Sequence, residues 1–135
     1  MRTINQEFGH QGEQMAEQYL KKQGYLILDR HYTTRWGEID LIAQDKKELV
    51  FIEVKSRKTK SFGLPEEAIT EEKLSRLIKT IYRYLQENDL SEKNHRIDVI
   101  LILVSREKKY PTIRHLKGIS YPQDSDFSLD LDEGA

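Results

Sequence analysis

The stretch Arg96-Ile97-Asp98-Val99-Ile100-Leu101-Ile102-Leu103-Val104 constrains the chain most. Side chains along a strand alternate between faces, so a run that is apolar at both parities must be covered on both sides. Such a strand belongs in the middle of a sheet with other layers packed above and below it. The remaining composition agrees with one small layered domain. The chain has 135 residues, 37% of them hydrophobic and 33% charged, enough for a single core under a large surface. It has no cysteine, which excludes a disulfide scaffold and thiolate zinc sites. No apolar run approaches the ~20 residues needed to cross a bilayer. The N-terminal region carries Glu7, Glu13 and Glu17 without an unbroken apolar stretch, so no signal peptide is read. A cytoplasmic protein with no membrane partner is expected.

Around the central strand, the pattern predicts a first helix from about Gln6 to Gln23, with Phe8, Gly12, Met15, Ala16, Tyr19 and Leu20 on one face and Gly24 ending it. Strand signals follow over Tyr25 to Arg35, Glu38 to Gln44 and Leu49 to Arg57, punctuated by Trp36-Gly37 and by Asp45-Lys46-Lys47-Glu48. A loop over Lys58 to Pro65 leads to a second helix from Glu66 or Thr70 to Asn88, striped by Leu74, Leu77, Ile78, Ile81 and Leu85. The strand Arg96 to Val104 comes next, then a weaker one over Thr112 to Leu116. The third strand, second helix and fourth strand form a right-handed crossover, which makes those two strands parallel. The expected fold is α/β: a mixed sheet of four or five strands flanked by helices, occupying residues 1–121. Residues 122–135 hold five acids and no Lys or Arg, and read as a disordered acidic tail. The whole chain has a net charge of −1; without the tail, 22 basic residues face 18 acidic ones, a body of +4. Bulk positive charge is therefore not how this chain would bind nucleic acid.

Two strands carry charges where a core strand should not. In Leu49-Val50-Phe51-Ile52-Glu53-Val54-Lys55, Val50, Ile52 and Val54 share one face, and Phe51, Glu53, Lys55 and Arg57 share the other. Glu38 and Asp40 share a face of the preceding strand by the same rule. If Gln44 pairs with Leu49 around the short loop, Asp40 falls opposite Glu53 and Glu38 opposite Lys55, with Cβ atoms ~4.5–5.5 Å apart on one face. Carboxylates that close repel each other, and burying an unpaired charge costs several kcal/mol. A divalent cation removes the conflict. Mg²⁺ (or Mn²⁺) takes oxygen ligands and keeps several waters, so Asp40, Glu53 and the backbone carbonyl of Val54 form a candidate ligand set. Lys55 can help deprotonate an attacking water or neutralise a phosphate oxygen. This is equipment for metal-assisted phosphodiester hydrolysis. The Glu-x-Lys spacing alone carries little weight, since Glu71-Glu72-Lys73 and Glu107-Lys108-Lys109 also show it. Only Glu53-Val54-Lys55 is embedded in an apolar strand.

Gly12-Glu13, Gly37-Glu38-Ile39-Asp40-Leu41-Ile42, Val50-Phe51-Ile52-Glu53-Val54-Lys55-Ser56-Arg57, Phe62-Gly63, Lys73 and Asp98 resemble the YraN-like uncharacterised protein family of bacteria. That family is similar in turn to the PD-(D/E)XK nucleases related to Holliday-junction resolvases. The resemblance runs from about Phe8 to Val104. It implies a restriction-endonuclease-like core, Asp40 and Glu53 as metal ligands, Lys55 as a catalytic residue, and Glu13 as a further acidic residue reaching in from the first helix. His31 and Thr33 stand where the family pattern is expected to have Asn and Arg.

Other residues have blander alternatives. Arg57, Lys58 and Lys60 either grip backbone phosphates beside the metal or form a solvated loop. Lys73 either meets a phosphate or faces water. Trp36 is read as packing under a hairpin in preference to stacking on a base. Asp98 is read as a structural partner of Arg96, with a supporting role at the metal site as the alternative; Glu38 is assigned the same supporting role. His10, His31, His95 and His115 show no ligand spacing and are read as structural, with His10 the one to test. Tyr82, Tyr84 and Leu85 offer a candidate homodimer face, although such a stripe is more often core. The acidic tail is a candidate phosphate mimic over the basic groove. The leading expectation is a Mg²⁺-dependent endonuclease acting on DNA, with branched or structured DNA as a candidate substrate; the alternatives are a non-catalytic nucleic-acid-binding module that keeps the acidic site and an interaction protein whose charged strands are structural.

Overall fold

The computed structural model describes residues 3–58 and 69–119. Lys60, Phe62, Gly63, Pro65, Glu66 and the acidic tail lie outside the described residues. The elements are α1 (Ile4–Lys22), β1 (Leu26–Thr34), β2 (Gly37–Asp45), β3 (Glu48–Lys58), α2 (Glu71–Glu87), β4 (His95–Val104) and β5 (Thr112–Leu116). The five strands form one sheet in the order β1-β2-β3-β4-β5. β3 and β4 pair in parallel; the other neighbours are antiparallel. This is the mixed five-stranded sheet with flanking helices that the sequence leads one to expect, the arrangement of a restriction-endonuclease-like core.

The helices take opposite faces. Ala16 and Leu20 of α1 pack with Leu41, Val50, Ile52, Ile100 and Ile102. Leu74, Leu77, Ile78, Ile81 and Leu85 of α2 pack with Ile42, Phe51 and Ile97. β4 is buried from Ile97 to Leu103, as its two-sided apolar run requires. Of the candidate dimer face, Tyr84 and Leu85 belong to the α2 core, where Tyr84 meets Phe51 edge-to-face, and Tyr82 is half-buried against the same cluster.

Both helix starts follow from their caps. Thr3 accepts from the Gln6 N–H at 3.0 Å while the Gln6 side chain accepts from the Thr3 N–H at 2.8 Å, a capping box that begins α1 before the apolar stripe does. Thr70 caps α2 by accepting from the Lys73 N–H at 3.1 Å. Gly24, with φ of 94°, supplies the left-handed turn after α1.

Gly12 sets how closely α1 approaches the sheet. A Cβ there would stand 2.0 Å from the Ser56 Oγ and 3.3 Å from its Cβ. Helix α1 thus rides directly on β3, and the next residue, Glu13, is delivered beside the sheet's charged end. Gly12→Ala should push α1 outward, lowering stability by ~1–3 kcal/mol despite the better helix propensity of alanine. Urea unfolding checks this; unchanged stability would show the helix has room to spare.

Candidate functional site

The β2–β3 register is the one the short loop implies: Gln44 pairs with Leu49, and Leu41 with Ile52. The backbone ladder then stops. Beyond it, an Asp40 carboxylate oxygen accepts the Val54 N–H at 2.8 Å. The strands have spread, and the side chain takes the place of a ladder carbonyl. A residue's N–H and C=O leave a strand on the same side, so the Val54 carbonyl also faces β2. Glu53 is buried at 5% exposure beside Asp40. Burial first, then the neighbouring Glu53 carboxylate, raise the Asp40 pKa from 3.8 to about 8. Glu13 adds to this repulsion from α1, and its own pKa is raised, chiefly by burial. Its Oε2 is buried without a hydrogen bond of good geometry, 3.1 Å from the His31 Nε2.

Two lysines answer these charges. Lys73, from the first turn of α2, pairs with Glu53 Oε1, and the Lys55 Nζ lies 3.4 Å from the same oxygen. Burial, followed by the nearby Lys73, lowers the Lys55 pKa. For Lys73 burial is outweighed by Glu53, and its pKa is raised. Of two ammonium groups at one carboxylate, Lys55 is the one that gives up its proton more readily.

The alternation rule fails at one point, with consequences for Glu38. Residues two apart on a strand share a face, yet Leu41 packs on the α1 side and Ile39 on the α2 side. β1 does the same: Arg30 reaches Glu17 of α1 at 2.6 and 2.7 Å, whereas the Tyr32 hydroxyl reaches Glu87 of α2 at 2.9 Å. The switch lies at the opposed pair His31 and Asp40, which is missing from the ladder between Arg30↔Leu41 and Tyr32↔Ile39. His31 has φ of 53°, a left-handed conformation that Asn, Asp and His tolerate better than bulkier residues. Glu38 therefore does not face Lys55 beside Asp40, as strict alternation predicts. It meets the His31 Nδ1 at 2.5 Å, and the other nitrogen of the same ring, Nε2, approaches Glu13. His31, read from sequence as structural, links the two outer carboxylates of the site. The Glu38 hydrogen bond is the main reason its pKa is raised. The turn Arg35-Trp36 held the missed signal, since pairing Thr34 with Gly37 places His31 opposite Asp40.

Other candidates lie elsewhere. Asp98 is fully buried on the α1 face, where its carboxylate accepts from Arg96 (3.0 and 3.3 Å), from His115 Nε2 (2.7 Å) and from the Gly118 N–H (2.9 Å). It anchors the sheet's far side and is not a support for Asp40 or Glu53. Although burial opposes ionisation, His115, Arg96 and the Gly118 N–H hold its pKa below the ordinary value. Arg57 is exposed on the Glu53 side of β3, and the Lys58 Nζ stands 5.0 Å from the Phe8 ring, directed toward α1. His10 lines a cavity of about 400 Å³ that also includes Glu13, Gln14, Arg30 and His31.

Asp40, Glu53 and the Val54 carbonyl are all hard oxygen donors, and the half-buried Asp40 carboxylate accepts from the Val54 N–H at one oxygen. That donor set suits Mg²⁺ or Mn²⁺. Among the described residues no three His, Asp or Glu side chains stand in metal-holding geometry. The set is therefore two carboxylates and a carbonyl, which suits an ion that retains water.

The sequence model of the uncharacterised protein family UPF0102 matches residues 12–102. The chain belongs to this family. UPF0102 is the YraN-like family of the sequence resemblance. Among its relatives, a UPF0102 protein of Desulfosudis oleivorans is 44% identical over 102 residues, covering 76% of this chain and 83% of the relative. One from Carboxydothermus hydrogenoformans is 50% identical over 94 residues, covering 70% and 80%. One from Syntrophomonas wolfei is 43% identical over 105 residues, covering 78% and 91%. The matched span of this UPF0102 chain includes Glu13, Asp40, Glu53, Lys55 and Lys73. Among the described residues no helix is long and apolar enough to cross a membrane.

Proposed function

We propose that this UPF0102 chain hydrolyses phosphodiester bonds in DNA with Mg²⁺ or Mn²⁺ at Asp40 and Glu53. The observation that carries the proposal is the adjacency of a buried carboxylate, Glu53, and a half-buried one, Asp40, on neighbouring strands, with Lys55 beside them and its pKa lowered. Asp40, Glu53 and the Val54 carbonyl would hold the ion, which would supply charge neutralisation at the phosphate and lower the pKa of a water. Lys55 takes the proton of the attacking water as the new O–P bond forms. The ester P–O bond opposite breaks, and the departing oxygen is protonated from solvent. Lys73, charged against Glu53, holds a non-bridging phosphate oxygen, and Arg57 meets a neighbouring phosphate. Glu13, 3.1 Å from the His31 Nε2, would add a hydrogen-bond acceptor for water in the site.

The test is cleavage of linear, flapped and four-way DNA with and without Mg²⁺ or Mn²⁺. Wild type should cut in the metal's presence and Asp40→Ala should not. Lys55→Met should retain metal affinity with turnover reduced ~10²-fold. Equal background from wild type and Asp40→Ala would remove the proposal. The pairing of Lys73 and Lys55 with Glu53 favours one second reading, a module that grips phosphates without cutting. It would show salt-dependent DNA binding without turnover.

A further inference from the structure

We propose that the groove between the β1–β2 turn and helix α2 receives an unpaired nucleobase of the substrate strand, stacked on Trp36. This rests on the reading of the chain as a nucleic-acid hydrolase and adds a recognition site to it. The sequence favours Trp36 as hairpin packing. The structure leaves it out of all three core clusters and only half-buried. Together with Thr33, Thr34, Arg35, Arg83 and Glu87 it lines a cavity of about 240 Å³. Drug-sized pockets run to ~300–1,000 Å³, so this one suits a single ring system.

The groove is preformed. The Thr34 Oγ1 lies 3.1 Å from the Thr80 Oγ1, and the Thr80 hydroxyl donates to the Arg76 carbonyl at 2.9 Å. The Trp36 N–H donates to the Thr34 Oγ1 at 3.2 Å. These bonds fix the turn to α2. The walls have the chemistry of a base: an indole, the Arg35 guanidinium carbon 5.5 Å from its centroid, and Arg83 oriented by Glu87 through Nε at 2.9 Å. Aromatic rings and guanidinium planes stack on any base, and their charge favours the phosphates on either side. Trp36 leads directly into β2, and Asp40 lies four residues on, roughly 13 Å at ~3.3 Å per residue. A base in the groove is therefore only a few nucleotides from the scissile phosphate. Bases within a duplex are stacked on their neighbours and cannot enter. The substrate class this selects is DNA with unpaired nucleotides flanking the cut.

Trp36 is the only tryptophan, so its fluorescence reports the groove directly. The full-length protein in EDTA is titrated with a fluorescently labelled single-stranded oligonucleotide and with its duplex, following label anisotropy and, with unlabelled DNA, tryptophan emission. The single strand should quench the emission, saturating at the concentration where anisotropy saturates. Trp36→Leu should weaken single-strand binding by roughly five- to 150-fold and duplex binding less than about twofold. Arg83→Gln, which keeps the tryptophan, should shift the quenching curve to higher concentration. Anisotropy without quenching, or a Trp36→Leu protein that binds both forms like wild type, overturns the stacking site and leaves the hydrolase reading standing. No anisotropy change with either DNA also overturns the stacking site, and cleavage by the metal-loaded protein decides the hydrolase reading separately.

Discussion

In EDTA, wild-type protein should lose stability steadily as pH rises from about 4 to about 8, and Asp40→Asn should not. The folded chain holds the Asp40 proton with a pKa raised to about 8, against 3.8 for an ordinary Asp carboxylate, because burial and Glu53 oppose ionisation. A group whose folded pKa is raised contributes its full stability below the unfolded pKa and loses it as pH climbs through the folded one. At 1.36 kcal/mol per pH unit the loss is roughly 3–6 kcal/mol. Mn²⁺ should reverse it, raising the melting temperature strongly at pH 8 and little at pH 5. Asp40→Asn carries no charge to bury, so it should be more stable than wild type at pH 8 in EDTA and gain little from Mn²⁺. Thermal melts across pH, with and without metal, check all of this. A flat wild-type profile would mean that solvent already relieves the pair.

Asp98→Ala should destabilise the protein by ~3–5 kcal/mol, a drop in melting temperature of about 10–20 °C. The fully buried carboxylate is the shared acceptor for Arg96, His115 and the Gly118 N–H. Removing it leaves three donors short of a partner, although Arg96 keeps Asp45 at 3.1 Å, Glu48 at 2.8 Å and the Tyr25 hydroxyl at 2.7 Å. Its pKa is lowered, so the sign opposes that of Asp40: its contribution is present above the unfolded carboxylate value and is lost as pH falls through the folded one. Metal affinity of Asp98→Ala should equal wild type at a temperature where both are folded. A large loss of affinity with unchanged stability would place Asp98 at the metal after all.

What the sequence made legible follows what local rules can carry. The run Ile97 to Leu103 announces a central strand because both parities are apolar. The pairing of Asp40 with β3 follows from a short loop, which leaves little freedom in register. Arg96 with Asp98 is a two-residue spacing on one strand face. His115 and Gly118, which complete that network, come from β5 and beyond, and no local rule brings them to Asp98. Alternation misplaces Glu38 because it assumes an even pleat, and the left-handed His31 breaks it opposite Asp40. Sequence leaves both readings of Lys73 open for a related reason. Its helix position is legible, whereas its arrival at Glu53 depends on how α2 crosses the sheet.

A crystal soaked in Mn²⁺, with anomalous scattering used to locate the ion, tests the metal site most directly. One peak should lie between the Asp40 and Glu53 carboxylates, within ~2.0–2.3 Å of an oxygen from each and near the Val54 carbonyl. Density there that holds only the Lys73 ammonium, with no anomalous peak at saturating Mn²⁺, would contradict it.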